Sequence, residues 1–315
     1  MIAQTSNFKN LNNRTLSSYV SLLNLKSKST QKLFQSTINN LNKFGGIDVN
    51  NISQYEEDAI YDLLQEWIIW NSNRGITAST LLCYFNAFHS YLWYQKIKLD
   101  QRDIKHNLRF PQTLHEQQSP VTFSEIQKIL SASDLEFRFH LLALISSGMR
   151  VSELGRIKTT HLDLARSNII VHIPSYITKT GHSRLTFFSI QVSNMIRYRI
   201  KNKQSSDFIF SGNRHTEQFL NLFLKRFAAA RRRANLIEKY NHCKQNRYKI
   251  HVHSMRSYFI TKANRIQFGL GHILAGHDFY MKEYNRYTID ELLDMYKKFE
   301  SATTFYRTSG KDKQP

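Results

Sequence analysis

The residues best suited to chemistry lie in the second half of the chain, where cationic and imidazole side chains recur in short motifs. Arg150 lies in GMRVSEL, Lys179 in ITKTGHSR, His253 and Arg256 in HSMR, and His277 in AGH. A group of tyrosines follows the last motif. Guanidinium, ammonium and imidazole groups donate hydrogen bonds to phosphate oxygens, and a phenol can act as a nucleophile. Together these residue types predict metal-free attack on a phosphodiester.

Each motif alone also has an ordinary structural explanation. Arg150 follows a helix expected to end at Gly148, and an arginine at such a junction commonly pairs with a nearby carboxylate, here Glu153. Lys179 occupies a predicted hairpin turn, where most lysines are simply solvated. A lysine on a tight turn can also reach into a groove and donate a proton to a leaving oxygen. The combination therefore carries more information than any single motif.

The histidine motifs differ in the specificity of their spacing. His253 and Arg256 are three residues apart, so both side chains can approach one anion from a helix. His251 is a rival, but it has no arginine three residues away. His277 follows a glycine, as does His272 in an earlier Gly-His pair. HExxH and cysteine-pair motifs are absent from the sequence, so we expect neither a metal nor another cofactor.

Three tyrosines after His277 are candidates for the nucleophile. Tyr280, Tyr284 and Tyr287 step by four and three residues, which is also the spacing of a packed helical face. A phenol with a pKa of about 10 is roughly 0.1% ionised at pH 7, a deficit of about 4 kcal/mol that a basic pocket must offset. Preorganised donors that stabilise charge on a phosphate contribute about 3 kcal/mol each, so two arginines and two histidines match the required scale.

The charge of the chain indicates a polyanionic partner. The formal net charge is +20 and the sequence pI is about 9.9. Residues 1–117 contribute +3 of this charge and the remainder contributes +17. We therefore expect double-stranded DNA as the partner, contacted mainly by the second part of the chain. One basic run suited to backbone contacts comprises Lys225, Arg226, Arg231, Arg232 and Arg233.

Other classes of protein are disfavoured. Cys83 and Cys243 are far apart and form no CxxC motif, which fits a reducing compartment. No apolar run approaches the roughly 20 residues that span a bilayer, and the first residues lack the apolar core of a signal peptide. The expectation is a cytoplasmic, DNA-associated protein with no membrane contact and no small-molecule substrate.

The hydrophobic periodicity predicts a mostly α protein with a small antiparallel β-sheet. Strands are expected over 168–173, 175–178 and 184–188. The apolar C-terminal helix over 289–299 can dock on its own domain or on a neighbouring copy. The chain divides into a flexible N-terminal arm (1–27), a helical domain (28–108), a linker (109–120), an α+β domain (121–300) and a C-terminal tail (301–315).

In this order the motifs resemble the tyrosine recombinase (phage integrase) family, from about residue 30 to residue 300. ISSGMRVSEL resembles the family's first arginine box, and TKTGHSR its β-hairpin lysine. HSMR resembles the H-x-x-R box, and LAGH the Gly-His box before the nucleophile. The first part resembles the helical core-binding domain, which with the catalytic domain forms a clamp around DNA.

The resemblance implies a role for each cationic residue. Arg150 and Arg256 would hold the scissile phosphate, and Lys179 would protonate the departing 5′ oxygen. His253 would assist proton transfer, and His277 would hydrogen-bond the phosphate. Four protomers would assemble on two paired DNA sites as a homo-tetramer.

The resemblance also ranks the tyrosines. Tyr284 would form the 3′-phosphotyrosyl bond, because the segment after it resembles the family's usual post-nucleophile segment. In the family the tyrosine commonly lies nine residues after this histidine, whereas Tyr284 lies seven and Tyr287 ten residues after His277. Tyr287 is therefore the first alternative and Tyr280 the second. The tail and the TKTG hairpin resemble integrases of archaeal viruses and plasmids more than bacterial chromosome-dimer resolvases.

The predicted function is a site-specific recombinase that integrates or excises a mobile element. Two alternatives use the same residues differently. A type IB topoisomerase-like enzyme would relax supercoils without sequence preference. A non-catalytic DNA-binding protein on a decayed recombinase scaffold would bind DNA without cleaving it.

Overall fold

The computed structural model describes residues 14–112, 119–201, 207–212, 214–240, 248–277 and 287–305. The chain separates into two compact units. The first comprises Met1–Glu116 and Tyr240–Arg247, and the second Gln117–Lys239 and Tyr248–Pro315. The architecture is mostly helical with a three-stranded antiparallel sheet. This confirms the predicted fold class.

The first unit is a bundle of helices around an aromatic core. Two of its helices begin at side-chain caps, because the Ser27 and Thr77 side chains accept hydrogen bonds from backbone N–H groups of the first turn. Trp67, Phe88 and Tyr91 are fully buried between the helices. The helices are α1 (Leu16–Leu23), α2 (Lys28–Phe44), α3 (Glu57–Asn73), α4 (Ala78–Tyr94) and α5 (Gln101–Asn107).

Part of the expected N-terminal arm is helical, so that prediction is wrong for Leu16–Leu23. The Thr15 side chain caps α1, and Tyr19 and Leu23 are buried in the core of the first unit. The Tyr19 ring lies 4.9 Å from the Phe34 ring in an edge-on arrangement. Two well-spaced apolar side chains are enough to anchor the helix, although the surrounding Asn, Ser and Thr conceal its periodicity.

The second unit contains the remaining described helices. Its first helix starts at a capping box in which Thr122 and Glu125 exchange hydrogen bonds. None of the helices in the described parts of the chain is long and apolar enough to span a membrane. The helices are α6 (Phe123–Ser131), α7 (Leu135–Ser147), α8 (Val151–Leu154), α9 (Ile190–Ile200), α10 (Thr216–Arg233), α11 (Val252–Asn264), α12 (Leu270–Ala275) and α13 (Ile289–Glu300).

The sheet has the order β1-β2-β3, with β1 at Leu162–Asp163, β2 at Ile170–Ile173 and β3 at Arg184–Phe187. The expected strand over 175–178 is wrong, because Ser175–Ile177 forms a 3₁₀ turn directly after Pro174. Proline lacks the N–H that would continue the ladder of hydrogen bonds. The hairpin between β2 and β3 therefore has a longer and less regular connection than predicted.

Helix α13 packs on the unit to which it belongs. Its buried side chains join a core cluster with Phe187 of β3 and Phe259 of α11. The Tyr296 hydroxyl donates a hydrogen bond to the Ser146 carbonyl at 2.9 Å. The sequence left open whether this helix docks on its own domain or on a neighbouring copy, and in the structure it docks on its own domain. The buried residues of α13 are Leu292, Leu293, Tyr296 and Phe299.

Candidate active site

The junction between α7 and α8 positions Arg150. Helix α7 ends at Gly148, whose φ of +62° favours glycine, and a Cβ there would lie 2.3 Å from the Phe259 ring. The chain then extends through Arg150 and enters α8. The Arg150 backbone N–H donates to one carboxylate oxygen of Glu153 at 2.8 Å, and its guanidinium donates to the other at 2.9 Å. The Arg150 side chain remains 22% exposed, so it is accessible to a ligand.

Glu153 is the shared acceptor of two arginines and its side chain is 0% exposed. Besides Arg150, it accepts two hydrogen bonds from Arg184 of β3, at 2.6 and 3.2 Å. Arg184 also donates through Nε to the Leu274 carbonyl at 3.1 Å. Burial alone would raise the pKa of Glu153, but the hydrogen bonds and charges of Arg184 and Arg150 outweigh it and lower the pKa. The carboxylate is therefore ionised at neutral pH.

Arg256 of α11 connects the two helix ends that border the site. Its side chain is buried, and the guanidinium donates to the carbonyls of Gly148 and Ala275, at the ends of α7 and α12. Carbonyl groups at helix C-termini carry partial negative charge and attract a cation. Burial, followed by the charge of Arg150, lowers the pKa of Arg256 to about 9. Desolvation is the main cause, and the neighbouring charge of Arg150 adds to it more than Glu153 offsets.

The turn after α12 places His277. Gly276 has a φ of +72°, and both its N–H and that of His277 return to the His272 carbonyl, at 2.8 and 3.0 Å. A Cβ on Gly276 would lie 2.5 Å from Cδ of Arg184. Two features therefore favour glycine at position 276: the left-handed backbone conformation, and the Arg184 side chain that occupies the space of a Cβ. The turn reverses the chain so that His277 lies beside His272.

The electrostatics of His277 show which groups surround it. Burial, followed by the charges of Arg256 and Arg150, lowers the pKa of His277 to about 4. His272 and His253 make smaller contributions in the same direction. Of the candidate residues read from the sequence, the structure thus brings together Arg150, Arg256 and His277, with His253 within electrostatic reach. His277 is neutral at physiological pH.

The first turn of α11 distinguishes the two rival histidines. His251 caps the helix, since its backbone N–H donates to the Ser254 hydroxyl at 3.1 Å and its ring Nδ1 lies 2.5 Å from the same oxygen. His253 is exposed, with its ring centroid 6.3 Å from that of His251. Buried Arg256 and exposed His253 therefore differ in solvent access. Convergence of the two on one anion stays a prediction.

No contact in the described ranges joins Lys179 or Tyr287 to this cluster. Lys179 is exposed in the connection between β2 and β3. Tyr280 and Tyr284 lie outside the described residues, so the preference for Tyr284 stays a prediction. Tyr287 lies directly before the cap of α13 and packs, partly buried, against the core cluster of that helix.

The basic run on α10 is corrected at one position. Arg231 is buried rather than exposed, because its guanidinium stacks 3.4 Å above the Tyr248 ring and donates to the Ile250 carbonyl at 3.2 Å. It thus anchors the segment that leads into α11. Lys225 and Arg232, seven residues apart on one helical face, are exposed.

Sequence reasoning missed the part played by Arg184. It occurs in the quoted motif TKTGHSR, but it was assigned only to a β-prone segment. An arginine beginning a strand is ordinary, and its partner Glu153 lies 31 residues earlier. The nearest signal was the glycine at 276, whose missing side chain leaves room for the arginine.

The donor set of the site suits an anion rather than a metal ion. Arg150 and Arg184 donate hydrogen bonds to the single carboxylate of Glu153, and the Arg256 guanidinium lies within electrostatic reach of it. Within the ranges that the structure describes, no group of three or more His, Cys, Asp or Glu side chains is placed to bind a metal ion. Guanidinium groups bind phosphate oxygens with charge-assisted hydrogen bonds.

Comparisons with known proteins agree with this chemistry. The sequence model of the phage integrase family matches residues 112–278, which include the whole arginine and histidine cluster. The chain belongs to this family. It is a site-specific tyrosine recombinase, an enzyme that breaks and rejoins DNA. No curated protein matches the sequence.

Solved structures resemble the fold over most of the chain. A lambda integrase dimer bound to a COC′ core site is 15% identical, with a TM-score of 0.61 over 87% of this chain and 99% of that chain. The Tn1549 transposon integrase in complex with transposon right end DNA is 16% identical, with a TM-score of 0.58 over 92% of this chain and 98% of that chain. A lambda integrase tetramer bound to a Holliday junction is 13% identical, with a TM-score of 0.59 over 85% and 75%. These proteins share the fold of this chain.

Proposed function

We propose that Arg150, Arg256 and His277 bind the scissile phosphate of double-stranded DNA and that Tyr284 attacks it. The observation that carries this proposal is the buried carboxylate of Glu153. It accepts two hydrogen bonds from Arg150 and so holds that side chain close to the buried guanidinium of Arg256. Attack by the phenol forms a 3′-phosphotyrosyl bond and releases a 5′ hydroxyl. The reverse reaction rejoins a strand, so the energy of the bond is conserved.

The charge balance of the site supports an anionic substrate. Arg150 and Arg184 share one carboxylate, and the Arg256 guanidinium close to them has only backbone carbonyls as hydrogen-bond partners among the described residues. A phosphodiester contributes the missing negative charge. In the transition state the non-bridging oxygens gain further charge, and preorganised donors are then worth most. Because the protein holds Arg150 and Arg256 in place before DNA binds, little reorganisation is needed during the reaction.

Proton transfer is assigned to the two exposed candidates. Lys179, on the connection before β3, would protonate the departing 5′ oxygen, and His253 would assist proton transfer. Both side chains are exposed, as groups that must reach a DNA backbone need to be. His277, neutral because burial and the arginines lower its pKa, would act as a hydrogen-bond donor rather than as a cation.

The DNA partner and the assembly follow from charge and from the family. The exposed face of α10, with Lys225 and Arg232, is suited to contact phosphates. The lambda integrase structures that share this fold contain a dimer on a core site and a tetramer on a Holliday junction. We propose that this chain likewise assembles as a homo-tetramer on two paired sites. There it would integrate or excise a mobile element.

Covalent trapping on a nicked suicide substrate tests the nucleophile. The enzyme should form an adduct that survives denaturation, and Tyr284→Phe should abolish it while Tyr280→Phe and Tyr287→Phe retain it. An adduct that persists in Tyr284→Phe and disappears in Tyr287→Phe would transfer the role to Tyr287. DNA binding without an adduct in any variant would contradict the proposed reaction, and supercoil relaxation without sequence preference would favour a topoisomerase-like activity.

A further inference from the structure

A second histidine contacts the proposed phosphate ligand. The Nδ1 atoms of His272 and His277 are 3.3 Å apart, and the ring centroids are 5.5 Å apart with the ring planes tilted by 41°. A hydrogen bond between two imidazole nitrogens needs one donor and one acceptor. The tautomers of the two rings are therefore coupled.

The backbone holds this pair together. His272 lies in α12, and the left-handed turn at Gly276 brings the following residue back over the same helix end. The His277 N–H donates to the His272 carbonyl at 3.0 Å, so the two residues are connected through the backbone as well as through their rings. The pairing is a property of the folded helix end and needs no bound DNA.

The direction of the ring hydrogen bond determines what His277 can do. When His272 donates, Nδ1 of His277 is the acceptor and its proton resides on Nε2. The Nε2–H group can then donate to a phosphate oxygen. When His272 accepts, the proton of neutral His277 resides on Nδ1, and Nε2 presents a lone pair that repels a phosphate oxygen.

We propose that His272 is a positioning residue that donates its Nδ1–H to Nδ1 of His277 and so holds His277 in the Nε2–H tautomer. This inference rests on the proposed function, in which His277 donates a hydrogen bond to the scissile phosphate. No contact with the substrate or the reacting atoms is assigned to His272 itself. Its effect reaches the phosphate through the ring of His277.

Electrostatics make the choice of tautomer important. A doubly protonated histidine would donate from both nitrogens, and its partner would not matter. Burial and the charges of Arg256 and Arg150 disfavour that cation in His277. The neutral ring has a single N–H, so the position of that proton decides whether the phosphate gains a donor.

An isosteric pair of substitutions separates the tautomer from packing. In His272→Asn the amide nitrogen lies where Nδ1 was and can still donate, whereas in His272→Asp the carboxylate can only accept. Single-turnover cleavage at about pH 8, where Arg256 keeps most of its charge and His277 is neutral even beside a carboxylate, should remain near the unsubstituted rate for the Asn variant. It should fall about 10²-fold for the Asp variant, which loses one donor to the transition state. His272→Ala should lie between them.

Nitrogen NMR of histidine-labelled protein without DNA provides the readout that packing alone does not move. The His277 signals, assigned with His277→Gln, should show the Nε2–H tautomer in the unsubstituted protein and in His272→Asn. They should show the Nδ1–H tautomer in His272→Asp. An Nδ1–H tautomer in the unsubstituted protein, or the same tautomer in the Asn and Asp variants, would overturn the assignment to His272.

The NMR and trapping experiments can fail separately. If the tautomer shifts as expected while covalent trapping on nicked DNA fails, His272 controls His277 but the proposed reaction is wrong. If trapping succeeds while the tautomer is unaffected by His272→Asp, the reaction stands and the positioning role is wrong. Equal cleavage by the Asn and Asp variants also contradicts the positioning role.

Discussion

The two units differ in whether they bury charged side chains. In the first unit, the buried amide of Asn71 lies beside Asn40, and the Trp67 ring N–H donates to the Asn40 side chain at 2.7 Å. This network is neutral. In the second unit, Glu153 and Arg256 are buried as ions. Among the described residues, every buried Asp, Glu, Lys or Arg side chain lies in the second unit.

This difference separates a packing network from a functional one. Neutral amides cost little to bury once they are hydrogen-bonded, and they hold helices in register. Buried ions cost several kcal/mol each to desolvate, and a fold that only needs stability can replace them with apolar residues. In the proposed function, the second unit retains Glu153 and Arg256 because a preorganised set of cations can bind a phosphate. Substitutions of Glu153 and Asn71 test whether the buried charges stabilise the second unit more than the buried amides stabilise the first.

The largest expected effect is the loss of the shared carboxylate. Glu153→Ala leaves Arg150 and Arg184 without their counter-ion next to Arg256, and breaking a buried ion pair in this way costs about 3–5 kcal/mol. The transition measured by circular dichroism should move to lower denaturant. The three tryptophans, at 67, 70 and 93, all lie in the first unit. Their fluorescence transition should change less.

Glu291→Ala is the matched control for that substitution. Glu291 is also the third residue of its helix and accepts the N–H of Thr288 at 2.7 Å, as Glu153 accepts the N–H of Arg150, but it is exposed. Loss of an exposed cap costs about 1 kcal/mol. Equal destabilisation by the two alanine substitutions would show that the buried charges add nothing to the capping role.

The neutral network should be less sensitive. Asn71→Ala removes the side chain that donates to the Trp67 carbonyl at 2.9 Å and to the Asn40 side chain at 3.1 Å. Leaving buried partners unsatisfied costs about 1–3 kcal/mol. Tryptophan fluorescence should report this loss in the first unit, and covalent trapping on DNA should be retained at low denaturant. A loss as large as that of Glu153→Ala would remove the energetic contrast between the units.

The smallest expected effect is a dependence of stability on pH in the second unit. The pKa of His277 is lowered from 6.5 to about 4, so the unfolded chain binds the proton first as the pH falls through this window. Stability should therefore decrease between pH 6.5 and pH 4, by about 1 kcal/mol after allowance for solvent screening of the partly exposed ring. His277→Gln should flatten this part of the profile. Below it, the lowered pKa of Glu153 should cause a further loss as that carboxylate is protonated in the unfolded chain first. An unchanged profile in His277→Gln would mean that His277 is not held neutral by its surroundings.

The sequence was most informative where local spacing determines structure. The apolar periodicity predicted a helical domain over 28–108, which is where α2, α3 and α4 lie. The motif order identified Arg150, Arg256 and His277, which the structure places together. These features depend on contacts within a few residues, or on a family pattern that spans the chain.

The sequence was least informative where partners are distant. Arg184 meets Glu153 across 31 residues, and Arg231 is buried because Tyr248 lies beneath it. Neither partnership has a local signal, so Arg231 was grouped with the exposed arginines beside it. The contact between His272 and His277 depends on the left-handed turn that separates them, which Gly276 permits but does not by itself predict.

Cleavage of a charge-neutral substrate tests the central claim most directly. If Arg150 neutralises negative charge on the scissile phosphate, Arg150→Ala should slow cleavage about 10²–10³-fold on a phosphodiester. The cleavage rate of Arg150→Ala should be largely restored on DNA with one methylphosphonate at the scissile position, where that charge is absent. Lys225→Ala, on the exposed face of α10, should show no such rescue. An Arg150→Ala defect of the same size on both substrates would contradict the account.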